Sequence, residues 1–100
     1  MTQDLDVELF RDETQSFRSI RLEVKDDGSV KIDAQDMGKL VEEMWGDSDY
    51  EFWVEVRSSE LPKLVFALLK DKYTNVHSAV DDFRDFCKSN SIELTWDSWA

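Results

Sequence analysis

The chain has 100 residues, 41% of them hydrophobic, and carries a net charge of −11 from 23 acidic and 12 basic side chains. This length fits one domain with a modest core, and a single cysteine excludes an internal disulfide. The surface should repel nucleic acid and anionic lipid, and no apolar run approaches the roughly 20 residues that cross a bilayer. Because the acidic N-terminus is no secretory signal either, we expect a cytoplasmic protein.

The first elements are predicted to be strands. Residues 5–10 alternate apolar and polar side chains, which is typical of a strand, with a frayed helix as the alternative. Residues 18–25 and 29–34 alternate more clearly. Asp27 and Gly28 between them supply the positive φ angles of a tight hairpin. Pairing of the first segment with the second would give a three-stranded meander.

A helix is predicted next. Asp36 would cap its free amides, and Gly46 would end it. Its apolar stripe, at spacings of three and four, consists of Met37, Leu40, Val41 and Met44. Residues 47–49 would form the turn that follows.

The clearest strand covers residues 50–56. One side should face the core and consists of Tyr50, Phe52, Val54 and Val56. The other side should face outward and consists of Glu51, Trp53, Glu55 and Arg57. Burial of Trp53 beneath Trp99 or the N-terminal segment is the alternative for that indole.

Two more helices and a last strand are predicted to follow. Ser58 or Ser59 would cap the first of these helices, with Pro62 in its first turn. Thr74 or Asn75 would cap the second. The residues assigned to the end of the chain are Asn90, which would close that helix, and Ile92, Leu94 and Trp96, which alternate in a strand.

These elements predict an α+β fold, in which helices cover one face of a mostly antiparallel sheet of four to five strands. With three helices, the predicted order of strands and helices along the chain is (β)ββαβααβ. We expect residues 1–17 to form an N-terminal segment, for which an edge strand is one interpretation. Residues 18–100 are expected to form a single domain.

No residue pattern indicates catalysis or a cofactor. His77 and Cys87 are too far apart along a helix to form a dyad, and the acidic pairs stand in no apolar setting that would raise a pKa. Residues 47–58 begin like an EF-hand but lack its glycine and its last acid. We therefore expect no enzyme and no metal site, although Asp47 and Asp49 leave open a loose surface contact with calcium.

Three short motifs carry a family resemblance. They are Ala34-Gln35-Asp36-Met37-Gly38, Tyr50-Glu51-Phe52-Trp53-Val54-Glu55-Val56 and Leu61-Pro62-Lys63-Leu64, followed by the isoleucine-led segment from Ser91 to Trp96. Together they resemble a group of small acidic bacterial proteins, largely uncharacterised, although Ala34 replaces the usual glycine. By analogy of build alone, this resemblance implies an immunity protein that neutralises a toxin.

Negative charge concentrates in two blocks, and the central one predicts the binding surface. Residues 36–60 hold eight acids and two bases, and residues 1–13 hold five acids and one base. Such an acidic, aromatic patch indicates a basic protein partner. The predicted partner-binding residues are Glu42, Glu43, Asp47, Asp49, Glu51, Trp53 and Glu55. The alternatives are a structural or homodimer-forming domain and, less well matched by the clustered acids, a mimic of nucleic acid.

Overall fold

The computed structural model describes residues 5–14, 17–37 and 49–99. The fold is α+β, as the sequence predicts, with a four-stranded antiparallel sheet and two α-helices in the described parts of the chain. The chain divides into two compact units, residues 1–64 and residues 65–100.

The first unit contains a meander in which sequential strands are neighbours. Its strands are β1 (Leu5–Asp12), β2 (Phe17–Val24), β3 (Val30–Met37) and β4 (Asp49–Val56), in the order β1-β2-β3-β4. The expected pairing of the first segment with the hairpin is therefore confirmed. A fifth strand is not found in the described residues, so β4 and β1 form the two edges of this sheet.

The turn between β2 and β3 lies where the sequence predicts it, but it uses only one of the two positive φ angles expected at Asp27 and Gly28. Gly28 has a φ of 87°, whereas Asp27 does not adopt a positive φ. The Gly28 amide donates to the Lys25 carbonyl at 2.9 Å, and the Lys25 amide donates to the Ser29 carbonyl at 2.8 Å. This pattern closes a three-residue loop over residues 26–28, as the predicted strand bounds imply, and only Gly28 adopts the left-handed conformation.

The cross-strand register builds one apolar and one polar face. Two apolar rows cross three strands, and they are Ile20–Ala34–Phe52 and Leu22–Ile32–Val54. Side chains alternate between faces along each strand, so the other face carries polar rows such as Ser19–Gln35–Glu51.

A bulge changes the phase of β1. Glu8 lies opposite Arg21 and Phe10 lies opposite Ile20, so Leu9 is an extra residue on the β1 side. The regular alternation expected over residues 5–10 therefore fails at Leu9. Phe10 takes the position on the apolar face that Leu9 was expected to occupy.

The helix cap expected at Asp36 is wrong. Asp36 and Met37 belong to β3, which continues three residues beyond its predicted end at residue 34. The Asp36 carboxylate receives two hydrogen bonds of 2.6 Å from Arg18, its direct neighbour across the β2–β3 pair. The rest of the first predicted helix, up to Gly46, and the first two residues of the turn predicted after it lie outside the described residues.

The remaining two predicted helices are found with adjusted starts. After a 3-10 turn at Ser58–Glu60, helix α1 covers Leu61–Tyr73 and helix α2 covers Ala79–Ser89. Helix α2 begins after Ser78 rather than Thr74 or Asn75. Its end is confirmed, because the Asn90 side-chain amide donates to the Phe86 carbonyl at 2.8 Å.

Side chains of the two helices contact each other within the second unit. The Tyr73 and Phe83 rings meet edge to face with centres 5.9 Å apart, and the Lys72 ammonium lies 5.0 Å from the centre of the Phe86 ring. Cys87 is buried, as its apolar helix face predicts. None of the helices described has the length and apolar character required to span a membrane.

The last predicted strand is wrong. Residues 92–99 form neither helix nor strand, and Trp96, expected in that strand, is 57% exposed. Its ring instead lies 5.6 Å from the guanidinium carbon of Arg84. An alternating segment becomes a strand only where another strand offers hydrogen bonds, and none of the described elements pairs with this one.

Candidate partner-binding face of strand β4

The alternation of β4 brings three of the predicted site residues onto one surface. Glu51, Trp53 and Glu55 occupy every second position of the strand and share the polar face of the sheet. All three are exposed, and Trp53 is 59% exposed. The alternative prediction, in which Trp53 is buried, is therefore wrong.

The opposite side of β4 is more open than its apolar character predicts. Phe52 is 42% exposed and Val54 is 71% exposed, so the expectation that they lie in a core is wrong. Their surface continues into a shallow groove of about 320 Å³, whose lining includes Ile20, Ile32 and Ala34. Both faces of β4 are therefore accessible to solvent.

Two lysines of the protein already contact the polar face of β4. The Lys31 ammonium lies 5.6 Å from the centre of the Trp53 ring, within the range of a cation–π interaction. Lys25 forms an ion pair with Glu55. The hydrogen bond to the Glu55 carboxylate raises the pKa of the Lys25 ammonium. These contacts establish that the indole and carboxylate geometry suits ammonium groups.

Near β1, the acids of the polar face are neutralised by neighbouring arginines. Arg21 bonds to Asp6 at 2.8 Å, and Arg11 bonds to Glu8 at 2.9 Å. The Glu8 carboxylate also accepts a hydrogen bond from Ser19 at 3.0 Å. Hydrogen bonds, first from Arg11 and then from Ser19, lower the pKa of Glu8.

Near β4, the same face carries two further acids, Asp33 and Glu51. Asp33 lies directly opposite Trp53, and Glu51 lies opposite Gln35. Neither Asp33 nor Glu51 forms an ion pair with any residue that the structure describes. Their carboxylates leave the β4 side of the sheet with free acceptors beside the exposed indole.

The structure does not describe the full predicted set. Glu42, Glu43 and Asp47 lie outside the described residues, and Asp49 is placed only through its backbone, opposite Met37 in β3. Three members of the surface were missed: Lys25, Lys31 and Asp33. The proximity of Lys31 and Asp33 to Trp53 depends on the β3–β4 register, and that of Lys25 to Glu55 on the position of the loop after β2; no local sequence pattern reveals either.

Among its described residues, the polar face has no set of side chains that would hold a metal ion. In the parts of the chain that are described, no group of three or more histidine, cysteine or acidic side chains is arranged to hold a metal ion. His77, the single histidine, is an exposed residue of the turn before α2. What the face offers is an aromatic surface and carboxylate acceptors, which suits binding of cationic groups.

Comparison with protein-family models, curated proteins and solved structures gives no match for this chain.

Proposed function

We propose that this chain is a non-catalytic domain that binds a basic protein surface through the polar face of β4. The observation that carries the proposal is the exposed indole of Trp53, held between Glu51 and Glu55 on one strand. An arginine or lysine of the partner would lie against the ring and bond to a flanking carboxylate. Aromatic anchors of this kind contribute strongly to protein interfaces.

The overall charge supports this class of partner. With a net charge of −11, the protein attracts a basic surface over a long range and accelerates the encounter, an effect that salt weakens. The carboxylates of Asp33 and Glu51, which form no ion pair with the residues that the structure describes, lie on the same side of the sheet as the indole. A toxin with a basic surface is one such partner, and an immunity protein that neutralises it is the biological role we propose.

A homodimer is the second candidate function. It is favoured by the position of β4 at an edge of the described sheet, because an edge strand presents unpaired backbone groups to a second copy. In that arrangement the domain would have a structural role, and Trp53 would lie within the dimer contact.

The proposed surface can be tested by reversing its charge. The variant Glu51→Lys/Glu55→Lys should retain its fold by circular dichroism and lose capture of partners from a lysate of the source organism, compared by mass spectrometry. The control is Asp71→Lys/Glu93→Lys, which makes the same charge change at two exposed acids of the second unit. Equal loss in both variants would mean that net charge alone drives binding, and unchanged capture by the first would refute the site.

A further inference from the structure

One edge of the sheet is regular enough to accept another strand. Strand β4 pairs with β3 residue for residue from Asp49 to Val56 with no shift of register. Since successive residues of a strand direct their backbone groups to opposite edges, the outer edge of β4 carries amides and carbonyls that its partner β3 does not use. Within the described chain, no strand pairs with this edge.

The other edge is less suited to pairing. Strand β1 is interrupted at Leu9 by its bulge, and its charged side chains Glu8 and Arg11 bond to each other. Bulges and charged residues are common ways in which proteins protect an edge strand. The contrast makes β4 the edge that is open to pairing.

Side-chain chemistry specifies the strand that would fit. An added strand would place every second side chain beside Glu51 and Glu55 on the polar face, and the intervening side chains beside Phe52 and Val54 on the apolar face. Lysine or arginine complements the first set, and β-branched residues complement the second. We propose that an extended partner segment with alternating basic and apolar residues adds as a fifth strand along β4, which rests on the proposed basic partner.

A second copy of this chain fits the same edge poorly. In an antiparallel pair centred on Trp53, Glu51 of each copy would lie opposite Glu55 of the other. In the pair centred on Phe52, Asp49 would lie opposite Glu55. These are the two registers with the longest overlap that keep like faces together, and like charges directly opposite destabilise a sheet. Charge complementarity therefore favours a basic strand over self-pairing.

The probe for this proposal is the capped peptide acetyl-(Lys-Val)4-amide, titrated against the intact protein and followed by NMR. Binding should slow the hydrogen exchange of alternate β4 amides about tenfold or more, because the peptide carbonyls accept hydrogen bonds from them. A block peptide of four lysines followed by four valines has the same charge and composition, and it should bind at least fivefold more weakly. Equal binding of the two peptides would overturn the proposal.

Methylation of the peptide backbone gives the sharper test. All lysine amides of the alternating peptide face one edge of its strand, and all valine amides face the other. N-methylation of one set should therefore abolish binding, whereas N-methylation of the other set should change affinity less than threefold. The set that abolishes binding also reports the direction of the added strand. If neither set of N-methyl groups changes the affinity of the peptide, and the β4 amides are not protected from exchange, strand addition is excluded.

The outcomes separate this proposal from the function on which it depends. If both methylated peptides bind as well as the parent and Glu51→Lys/Glu55→Lys abolishes binding, the polar face binds cations through side chains alone and only strand addition fails. If the charge reversal leaves peptide affinity unchanged, the proposed function fails as well. Concentration-dependent protection of β4 without peptide, together with a dimer in sedimentation, would assign the edge to a second copy and overturn the proposal.

Discussion

Lys31 contacts Trp53 diagonally across the β3–β4 pair rather than directly. Directly opposite Lys31 is Glu55, and directly opposite Trp53 is Asp33, yet the ammonium lies 5.6 Å from the centre of the indole ring. Diagonal neighbours in a sheet are within reach of long and aromatic side chains. The protein thus supplies its own cation at the surface where we propose that a basic partner binds.

Removal of Lys31 should therefore strengthen binding of an external cation. In Lys31→Ala, the Trp53 ring loses its internal ammonium and the polar face becomes more negative. We expect affinity for the alternating lysine–valine peptide to rise about two- to fivefold, which corresponds to the roughly 0.5–1 kcal/mol of an exposed cation–π contact. Calorimetric titration measures the change.

The matched control for that variant is Lys70→Ala. Lys70 lies 5.9 Å from the centre of the Phe66 ring in the second unit, so its removal makes the same charge change and breaks the same type of contact. Affinity for the peptide should change less than twofold. If Lys31→Ala weakens binding, Lys31 is part of the docking surface and does not compete with the partner.

The pair of Arg18 and Asp36 should stabilise the β2–β3 hairpin measurably. Two parallel hydrogen bonds of 2.6 Å join them, the Asp36 side chain is only 16% exposed, and the guanidinium carbon lies 5.6 Å from the centre of the Phe52 ring. Because Arg18 is half exposed, we expect a coupling near the upper end of surface pairs, about 1 kcal/mol.

A double-mutant cycle with Arg18→Ala and Asp36→Ala in urea denaturation gives this coupling directly. Arg18→Lys is the informative intermediate, since it keeps the charge and loses the two-point geometry. It should recover less than half of the coupling. Strictly additive effects of the two alanine substitutions would show that the pair contributes nothing to stability.

Gly28→Ala should destabilise the protein because of the backbone conformation at this position. For a residue with a side chain, the φ of 87° found here costs about 1–2 kcal/mol of conformational free energy. An added Cβ would also lie 3.2 Å from the Cβ of Ser58. Repeating the substitution in a Ser58→Gly background removes the contact and leaves the backbone cost. If Gly28→Ala no longer lowers the free energy of unfolding in this background, the loss comes from the contact with Ser58 and not from the backbone.

Asp27 should make stability depend on pH in the acidic range. Its Oδ1 accepts hydrogen bonds from the Ser29 hydroxyl at 2.7 Å and the Ser29 amide at 2.9 Å, and these lower its pKa below the ordinary 3.8. The folded carboxyl therefore binds a proton less readily than the unfolded one. Its contribution is fully present above that ordinary value and is lost as the pH falls through the lowered one.

The measurement is the urea midpoint of the wild type and of Asp27→Asn between pH 2 and 6. Asparagine keeps an oxygen that accepts from Ser29 and does not titrate, so the variant should lose less stability on acidification. Hydrogen bonds from Arg11 and Thr14 also lower the pKa values of Glu8 and Asp12, respectively. Stability therefore still depends on pH to some extent in both proteins. Identical slopes would show that Asp27 takes no part.

The sequence predicts those strands whose pattern is local. Alternation from residue 18 to residue 34 and from residue 50 to residue 56 identifies β2, β3 and β4, because a period of two is a property of each segment by itself. The face shared by Glu51, Trp53 and Glu55 follows from the same period. Its lysine neighbours do not, since Lys31 belongs to β3 and Lys25 to the loop after β2.

The errors arise where a distant partner decides the local structure. Asp36 reads as a helix cap by its position, but Arg18 on the neighbouring strand satisfies its carboxylate and β3 continues to Met37. Residues 92–96 have a strand pattern without a pairing partner. The bulge at Leu9 likewise depends on how β1 meets β2, which the spacing of apolar residues in one segment does not contain.

The interruption of β1 has a consequence for assembly. If both edges were regular, β4 of one molecule could dock on β1 of the next, and this head-to-tail contact would repeat without closing. Such a repeat produces filaments. Because the bulge at Leu9 interrupts β1, this repeating contact between β4 of one molecule and β1 of the next is disfavoured.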